Sequence, residues 1–258
     1  MLNSELNLRW KCLVRMDSFK QKAEPLATSS ASQSKAIIFD SSTLISYSMN
    51  GLFQEIRDLK KIFNGNFIIP KEVREEVIDK PLSSKRFELE ALRMQELMEE
   101  GVLESPSCLG IKEKEVSFLA QKILNQANEL LYSEQRGVEL IGKGEASCLA
   151  LSKMLNEKKI KNVIAIDERT TRVLGENPEN LVNLLQNRMH TKIKMNKKNM
   201  DFAKGFKFIR STELIYVAYK KGLINIKKEQ ALDALLYALK FKGCAISDEE
   251  IEEIKRIK

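Results

Sequence analysis

A short apolar run that ends on an acid constrains this chain more than any other feature. Residues 35–40 read KAIIFD, and three hydroxylated residues, SST, follow directly. A continuous apolar run of this length is typical of a central strand in a parallel sheet, which is buried on both faces. Because an unpaired carboxylate is costly to bury, Asp40 at the end of such a strand indicates a position where a carboxylate is needed.

The rest of the chain alternates short apolar runs with segments of helical spacing. Further strands are predicted at 66–70, 101–106, 162–167 and 206–211. Helices are predicted at 50–64, 71–79, 84–99, 112–136, from 142 onward, and at 178–200, 211–221 and 227–241, with a final helix that opens at SDEE, 247–250. This alternation predicts an α/β fold with a central parallel sheet in a three-layer α/β/α arrangement.

Composition divides the chain into a lead-in and one domain. Residues 21–35, QKAEPLATSSASQSK, are polar and serine-rich, which predicts a flexible N-terminal extension over 1–34. Order is predicted from 35 to 258, as one domain with helical insertions near 80–135 and 176–205. Either Met1 or Met16 is compatible with the start of translation.

The charge balance favours an anionic partner such as nucleic acid. The chain has 43 Lys and Arg residues against 36 Asp and Glu, for a formal net charge of +7. The densest basic run is RMHTKIKMNKK, 188–198, which is either an arm that binds an RNA backbone or a soluble helix. A surface rich in both Lys and Glu explains the net charge equally well.

Cysteine usage and hydropathy exclude several classes. The four cysteines, at 12, 108, 148 and 244, form no CxxC pair, so a zinc ribbon and a disulfide scaffold are both disfavoured. This pattern favours a reducing, cytoplasmic location. No stretch approaches the 18 apolar residues that a membrane span requires, so we expect no membrane partner.

Acids follow two of the predicted strands. Asp40 ends the first, and Asp167 and then Glu168 end the run NVIAID. The carboxyl ends of parallel strands lie at one edge of a sheet, where ligands bind in open α/β folds. Each acid taken alone is equally explained as the cap of the following helix.

Two further acids lie on helix faces that turn toward the predicted sheet. At about 100° per residue, Glu76 falls between Val73 and Val77, the apolar positions of its helix, and it should have a cationic partner. Glu145 shares a face with Leu149 and follows a pair of glycines at 142 and 144, which permit close backbone approach.

Together the strand-end acids and the helix acids predict one electronegative cleft. Asp40, Glu76, Glu145 and Asp167 are placed near the same sheet edge, and Glu168 is adjacent to the last of them. Four carboxylates in one cleft repel each other, and a divalent cation relieves that repulsion. Oxygen ligands of this kind favour Mg²⁺ or Mn²⁺ over zinc.

The chain resembles PIN-domain proteins. The matching segments are KAIIFDSSTLI, IIPKEVREEV, GKGEASCLALS and VIAIDERTTRVL, in the order in which that family carries them. The tail from 211 to 254 resembles a subgroup of prokaryotic PIN proteins, in which a helix carrying AxxxGLI precedes a stretch ending in G…IS. The resemblance extends over roughly 35–258, with breaks near 80–135 and 176–205.

The resemblance implies a metal-dependent ribonuclease that hydrolyses RNA phosphodiesters in the cytoplasm, with Mg²⁺ or Mn²⁺ as cofactor. Asp40, Glu76, Glu145 and Asp167 match the family's acids, and some members carry a second acid at the position of Glu168. Asp167 is favoured over Glu168 as the metal ligand because it directly follows the apolar run. Ser42 matches a small polar position near the first acid.

Cations near the acids are candidates for contacting phosphates. These are Lys143, Arg169 and Arg172, and for each of them a solvated surface charge is an equal explanation. The resemblance also leaves a protein regulator and a homodimer open.

Two other functions compete with the nuclease interpretation. The main alternative is a non-catalytic PIN-like module that binds RNA or protein. A phosphoryl-transfer or receiver domain is disfavoured because the chain has no GxxxxGK[ST] loop.

Overall fold

The four central strands of a computed structural model of this protein follow the apolar runs of its sequence, whereas two short strands, at 131–133 and 193–195, form within segments predicted as helices. The structure describes residues 35–133, 140–176, 178–190, 192–196 and 202–257, so the predicted flexible extension over 1–34 lies outside the described residues. The strands are β1 (Lys35–Phe39), β2 (Asn66–Ile68), β3 (Leu131–Ser133), β4 (Lys161–Ala165), β5 (Ile193–Met195) and β6 (Phe208–Ile209).

Helices occupy most of the remaining described chain. They are α1 (Ser41–Met49), α2 (Phe53–Ile62), α3 (Lys71–Arg74), α4 (Glu88–Glu99), α5 (Glu113–Leu130), α6 (Lys143–Glu157), α7 (Arg169–Glu176), α8 (Pro178–Met189), α9 (Ser211–Lys220), α10 (Ala231–Phe241) and α11 (Asp248–Arg256). Helix α3 continues as a π-helical turn, Glu75–Asp79, and short 3₁₀ turns span Pro81–Ser83 and Pro106–Leu109.

A four-stranded, all-parallel sheet in the order β2-β1-β4-β6 forms the centre of the fold. In its register, Ile38 of β1 lies opposite Ile68 of β2 and Ile164 of β4. The chain runs from β1 outward to β2 on one side, and from β4 outward to β6 on the other. The strand order therefore reverses between β1 and β4, which is the point where open parallel sheets bind ligands. A separate two-stranded antiparallel sheet pairs β3 with β5.

Helices flank this sheet and close one apolar core. Helix α6 packs against α5 and against strands β1 and β4, while α9 packs against α1, α2 and α10. The central strand is fully buried, as its unbroken apolar run predicts, with Ile38 at 0% and Phe39 at 1% exposure. The predicted α/β class with a central parallel sheet is confirmed, and the flanking helices are compatible with three layers. None of the described helices is both long and apolar enough to cross a bilayer.

Several element boundaries differ from the sequence prediction. The helix predicted at 50–64 forms as α2, and a helix that was not predicted, α1, precedes it, with Gly51 at a φ of 69° between the two. The strand predicted at 101–106 is wrong, because only one isolated bridge, between Ile68 and Glu104, forms there. The helix predicted at 112–136 ends at Leu130, and the chain then enters β3.

We expect truncation of the central strand to destabilise the protein strongly. Ile38→Ala removes a fully buried side chain between two neighbouring strands, and the cavity should lower the free energy of unfolding by about 2–5 kcal/mol. Urea denaturation measures this change. The control is Ile226→Ala, at a side chain 54% exposed, which should change stability by less than about 0.5 kcal/mol. Equal losses in the two variants would contradict a core centred on β1.

Candidate active site

Asp40 lies at the carboxyl end of β1 and is almost fully buried, at 1% exposure. It caps helix α1: its Oδ2 accepts a hydrogen bond from the backbone N–H of Ser42 at 3.0 Å and another from the Ser42 hydroxyl at 2.5 Å. Its own N–H donates to the carbonyl of Ala165 on β4 at 2.9 Å. Within the described chain, Oδ1 of Asp40 is buried and has no hydrogen-bond partner.

Asp167 lies beside Asp40, just beyond β4, and is 0% exposed. Its N–H donates to the Ser42 hydroxyl at 3.0 Å, so this one hydroxyl joins the two strand ends. Oδ1 of Asp167 accepts from the N–H of Ser211, the first residue of α9, at 2.8 Å. Its Oδ2 is buried and finds no hydrogen-bond partner among the described residues.

Glu168 points elsewhere, although it is the next residue. Its Oε2 accepts from the N–H of Thr171 at 2.8 Å, which caps the start of α7. Its side chain is only partly buried, and its charge acts on Glu145. Of the two adjacent acids, Asp167 is therefore buried and caps α9, while Glu168 is partly exposed and lies near Glu145.

Glu76 lies in the π-helical turn, where its Oε2 accepts from the Ser41 hydroxyl at 2.7 Å. The opposite wall is Gly144 of α6, where an added Cβ would lie 2.8 Å from Oε2 of Glu76. The predicted close approach at this glycine is therefore confirmed. The predicted cationic partner is not seen, because among the described residues Glu76 has a hydroxyl donor but no ion pair.

Glu145 lies in the first turn of α6, and its Oε2 accepts from the backbone N–H of Gly142. Burial, followed by the charges of Asp40, Glu168 and Glu76, raises the pKa of Glu145 to about 7, against the opposing bond from Gly142. An added Cβ at Gly142 would lie 2.9 Å from Oε2, so this glycine also leaves room for a carboxylate.

Asp40 is likewise repelled by a neighbouring acid. Burial and, to a lesser extent, the charge of Glu76 raise the pKa of Asp40, the bonds from Ser42 oppose the shift, and the net pKa is about 6. The structure thus brings Asp40, Glu76, Glu145 and Glu168 within electrostatic reach of each other, and Ser42 ties Asp167 to the same place. These carboxylates come from four separate parts of the chain and meet at the β1/β4 strand-order reversal.

The carboxylates are neighbours, but each is held by its own donor. Glu76 is bonded to Ser41, Glu145 to Gly142 and Glu168 to Thr171. In the part of the chain that the structure describes, no three His, Cys, Asp or Glu side chains are arranged so that they could hold a metal ion. Side-chain rotation away from these donors would be needed for all of them to converge on one cation.

The predicted phosphate-binding cations differ in accessibility. Lys143 and Arg169 are exposed, at the first residues of α6 and α7. Arg172 is buried, and its Nη2 donates to the carbonyl of Ala245 at 2.9 Å. Burial and the neighbouring charge of Arg210 lower its pKa. Arg172 is therefore engaged inside the fold rather than presented to a phosphate.

Sequence reasoning missed Ser41 and Ser211, which hold two of the acids. Ser41 had a signal, because it directly follows Asp40 where a helix begins. Ser211 had none, since it lies 44 residues from the carboxylate that it contacts. The basic run at 188–198 is only partly described: Lys192 and Lys194 are exposed near β5, and Lys197 and Lys198 lie outside the described residues.

Comparison with known proteins leaves the family unassigned. No family model, no curated protein and no solved structure matches the chain. The resemblance to PIN-domain proteins therefore stays a prediction that depends on the four sequence segments and on the site that they form.

The raised pKa of Asp40 predicts an unusual pH dependence of stability. In the folded protein Asp40 keeps its proton up to about pH 6, whereas an ordinary Asp loses it near 3.8. Because the folded state then binds more protons than the unfolded state, this group's contribution to stability falls as pH rises through that window. Without metal at pH 8, Asp40→Asn should be more stable than wild type by on the order of 2 kcal/mol.

The measurement is urea denaturation in chelator across pH 4 to 8. The gain in Asp40→Asn should shrink toward pH 4, where the wild-type carboxyl is itself protonated. Asp58→Asn is the matched control, because hydrogen bonds from Lys61 and Gln54 lower the pKa of Asp58, and its loss should destabilise. A constant difference between Asp40→Asn and wild type across this range would contradict the raised pKa of Asp40.

Proposed function

We propose that this protein is a divalent-metal-dependent nuclease, and specifically a cytoplasmic endoribonuclease that hydrolyses RNA phosphodiesters. The observation that carries the proposal is the cluster of mutually repelling, buried carboxylates at the strand-order reversal. Burial and mutual repulsion raise the pKa of Asp40 and of Glu145, so the cluster is unfavourable when fully ionised and uncompensated. Strained ionisable groups of this kind concentrate at functional sites.

The donor set suits a hard cation. Asp40 offers a buried Oδ1 without a partner in the described chain, and Asp167 offers its Oδ2. Gly142 and Gly144 leave the space that Glu145 and Glu76 occupy. Carboxylate oxygens are the ligands that Mg²⁺ and Mn²⁺ prefer. When bound, either cation would supply a more acidic water and positive charge at the scissile phosphate.

The residues of the chain would hold and orient this site. The Ser42 hydroxyl fixes the rotation of Asp40 and the backbone of Asp167 together. The Ser41 hydroxyl holds Glu76 against the glycine at 144. Lys143 and Arg169, exposed at the starts of their helices, are placed to contact phosphate oxygens of an incoming strand. The formal net charge of +7 supports a polyanionic partner.

Glu168 is the better metal ligand of the two adjacent acids in this proposal. Its charge acts on Glu145 and its side chain is only partly buried, whereas Asp167 is fully buried. One oxygen of each acid accepts from a backbone N–H, that of Thr171 for Glu168 and that of Ser211 for Asp167. The sequence favoured Asp167, and the proposal shifts the main role to Glu168 while keeping Asp167 in the set.

We expect Glu168→Gln to weaken Mn²⁺ binding without loss of stability. Removing a ligand or its close partner typically weakens metal affinity about 10- to 100-fold, and removing one negative charge relieves repulsion on Glu145. Isothermal titration with Mn²⁺ and urea denaturation measure the two effects. Glu176→Gln, at the other end of α7, serves as control. Unchanged Mn²⁺ affinity in Glu168→Gln would exclude this acid as a ligand.

Asp40→Asn should abolish metal-dependent cleavage of RNA. The amide keeps an oxygen for the bonds from Ser42, so the fold should persist while the carboxylate is lost. The assay follows a labelled single-stranded RNA with Mn²⁺, with Mg²⁺ and with chelator, and Asp58→Asn on the surface of α2 is the control. Equal cleavage by Asp40→Asn and wild type would place the active site elsewhere.

A second candidate function is a PIN-like module that binds RNA or a protein without cleavage. The observation that favours it is the engagement of Glu76, Glu145 and Glu168 by separate donors, with no convergent metal site among the described residues. The cleavage assay distinguishes the two functions, because a binding module would bind RNA but would not cleave it in the presence of Mn²⁺ or Mg²⁺. A protein regulator and a homodimer remain compatible with either function.

A further inference from the structure

The C-terminal segment, residues 243–257, is hydrogen-bonded to the main chain of one of the site acids. The backbone N–H of Ala245 donates to the carbonyl oxygen of Asp167 at 3.2 Å. The carbonyl of Ala245 in turn accepts from Nη2 of Arg172 at 2.9 Å. Ala245 thus bonds through both its N–H and its carbonyl, and it holds the carbonyl of Asp167, whose N–H is held by Ser42.

A second connection starts on helix α11. Arg210 is 1% exposed, and its Nη1 donates to Oε1 of Glu250 on α11 at 2.8 Å. Its Nη2 donates to Oε1 of Glu213 at 3.0 Å, and its backbone N–H donates to Oε2 of Glu213 at 2.8 Å. Glu213, in the first turn of α9, thus binds both the side chain and the backbone of Arg210, the residue that precedes the helix. Ser211, the next residue, then points its N–H at Oδ1 of Asp167.

The positive charge of Arg210 strengthens its bonds to Glu213 and Glu250. Burial lowers the pKa of Arg210, but the charges of Glu213 and Glu250 outweigh that effect and hold the pKa above its ordinary value. The guanidinium is therefore ionised inside the protein and needs both carboxylates. Without Glu250 a buried positive charge would keep a single partner, which favours reorientation of the side chain. Because Arg210 caps α9, its movement would displace the N–H of Ser211.

We propose that Glu250 is a positioning residue of the carboxylate site, acting through Arg210 and the first turn of α9 on the side chain of Asp167. The inference rests on the proposed function, since it concerns the same metal site. It makes the C-terminal helix part of the site, although α11 contributes no ligand. Coupling of this kind is reciprocal, so metal binding at the acids should stabilise the C-terminal segment.

The test compares Mn²⁺ affinity in full-length variants by isothermal titration. Glu250→Gln removes the negative charge that faces Arg210, and we expect about tenfold weaker binding, the lower end of what residues bonded to metal ligands contribute. Glu250→Asp keeps the charge on a shorter side chain and should fall between Glu250→Gln and wild type. Glu252→Gln is the matched control on the same helix, because its surface bond with Lys255 at 2.8 Å does not reach the site.

Hydrogen exchange separates positioning from simple stabilisation. In wild type, Mn²⁺ should slow exchange of the amides of Ser211 and Ala245 and of helix α11, and Glu250→Gln should lose that protection in α11. Both experiments are run well below the melting temperature of the weakest variant, so that global unfolding does not contribute.

The Mn²⁺ affinities of wild type and of the two Glu250 variants distinguish failure of the inference from failure of the proposed function. If wild type binds Mn²⁺ and both Glu250 variants bind it equally well, Glu250 only stabilises the fold and the inference fails, while the proposed function stands. If wild type binds no Mn²⁺, the proposed function fails and the inference falls with it. If Glu250→Gln does not fold, the affinity of Glu250→Asp alone supports or overturns the inference.

Discussion

Repulsion among carboxylates at the carboxyl ends of β1 and β4 is the constraint on which the local structure depends. Asp40 and Glu145 both have a raised pKa, and in each case burial comes first and other acids add to it. The surrounding structure opposes that repulsion with short, directed hydrogen bonds. Ser41, Ser42 and the N–H of Gly142 each hold one carboxylate in place.

The topology explains why acids so distant in sequence meet. Strands β1 and β4 are neighbours, yet their onward connections diverge to opposite sides of the sheet. Residues that follow these strands therefore border a crevice that no crossover covers. The π-helical turn brings Glu76 to one side of it, and the start of α6 brings Glu145 to the other, with Gly144 small enough for the two segments to approach.

Much of this fold could be predicted from the apolar runs, because a strand buried on both faces has a distinctive continuous pattern. KAIIF and the run before Asp167 became adjacent central strands, and Asp40 and Glu76 reached the same edge as expected. The apolar run at 101–106 could not be distinguished by its pattern from a strand, but among its described residues only Glu104 forms a bridge, with Ile68. Helix α1 was missed because its hydroxylated start resembles a loop, although Asp40 caps it.

The division of roles between Asp167 and Glu168 could not be read from the sequence. Local spacing favours Asp167, since it directly continues the apolar run. What separates the two acids is tertiary: Ser211, on a helix far along the chain, occupies one oxygen of Asp167, while Glu168 caps its own helix beside Glu145. A contact between residues 44 positions apart has no local signature.

The N-termini of four helices compensate part of the negative charge of this carboxylate cluster. Asp40 caps α1, Glu145 lies in the first turn of α6, Glu168 caps α7 and Asp167 caps α9. Each N-terminus carries about half a unit of positive charge, which is less than the full charge of the carboxylate beside it. The helices therefore offset part of the negative charge, while burial, together with the repulsion that remains, raises the pKa of Asp40 and of Glu145. A proton balances that remainder in acid, and in the proposed function a divalent cation takes the same role at neutral pH.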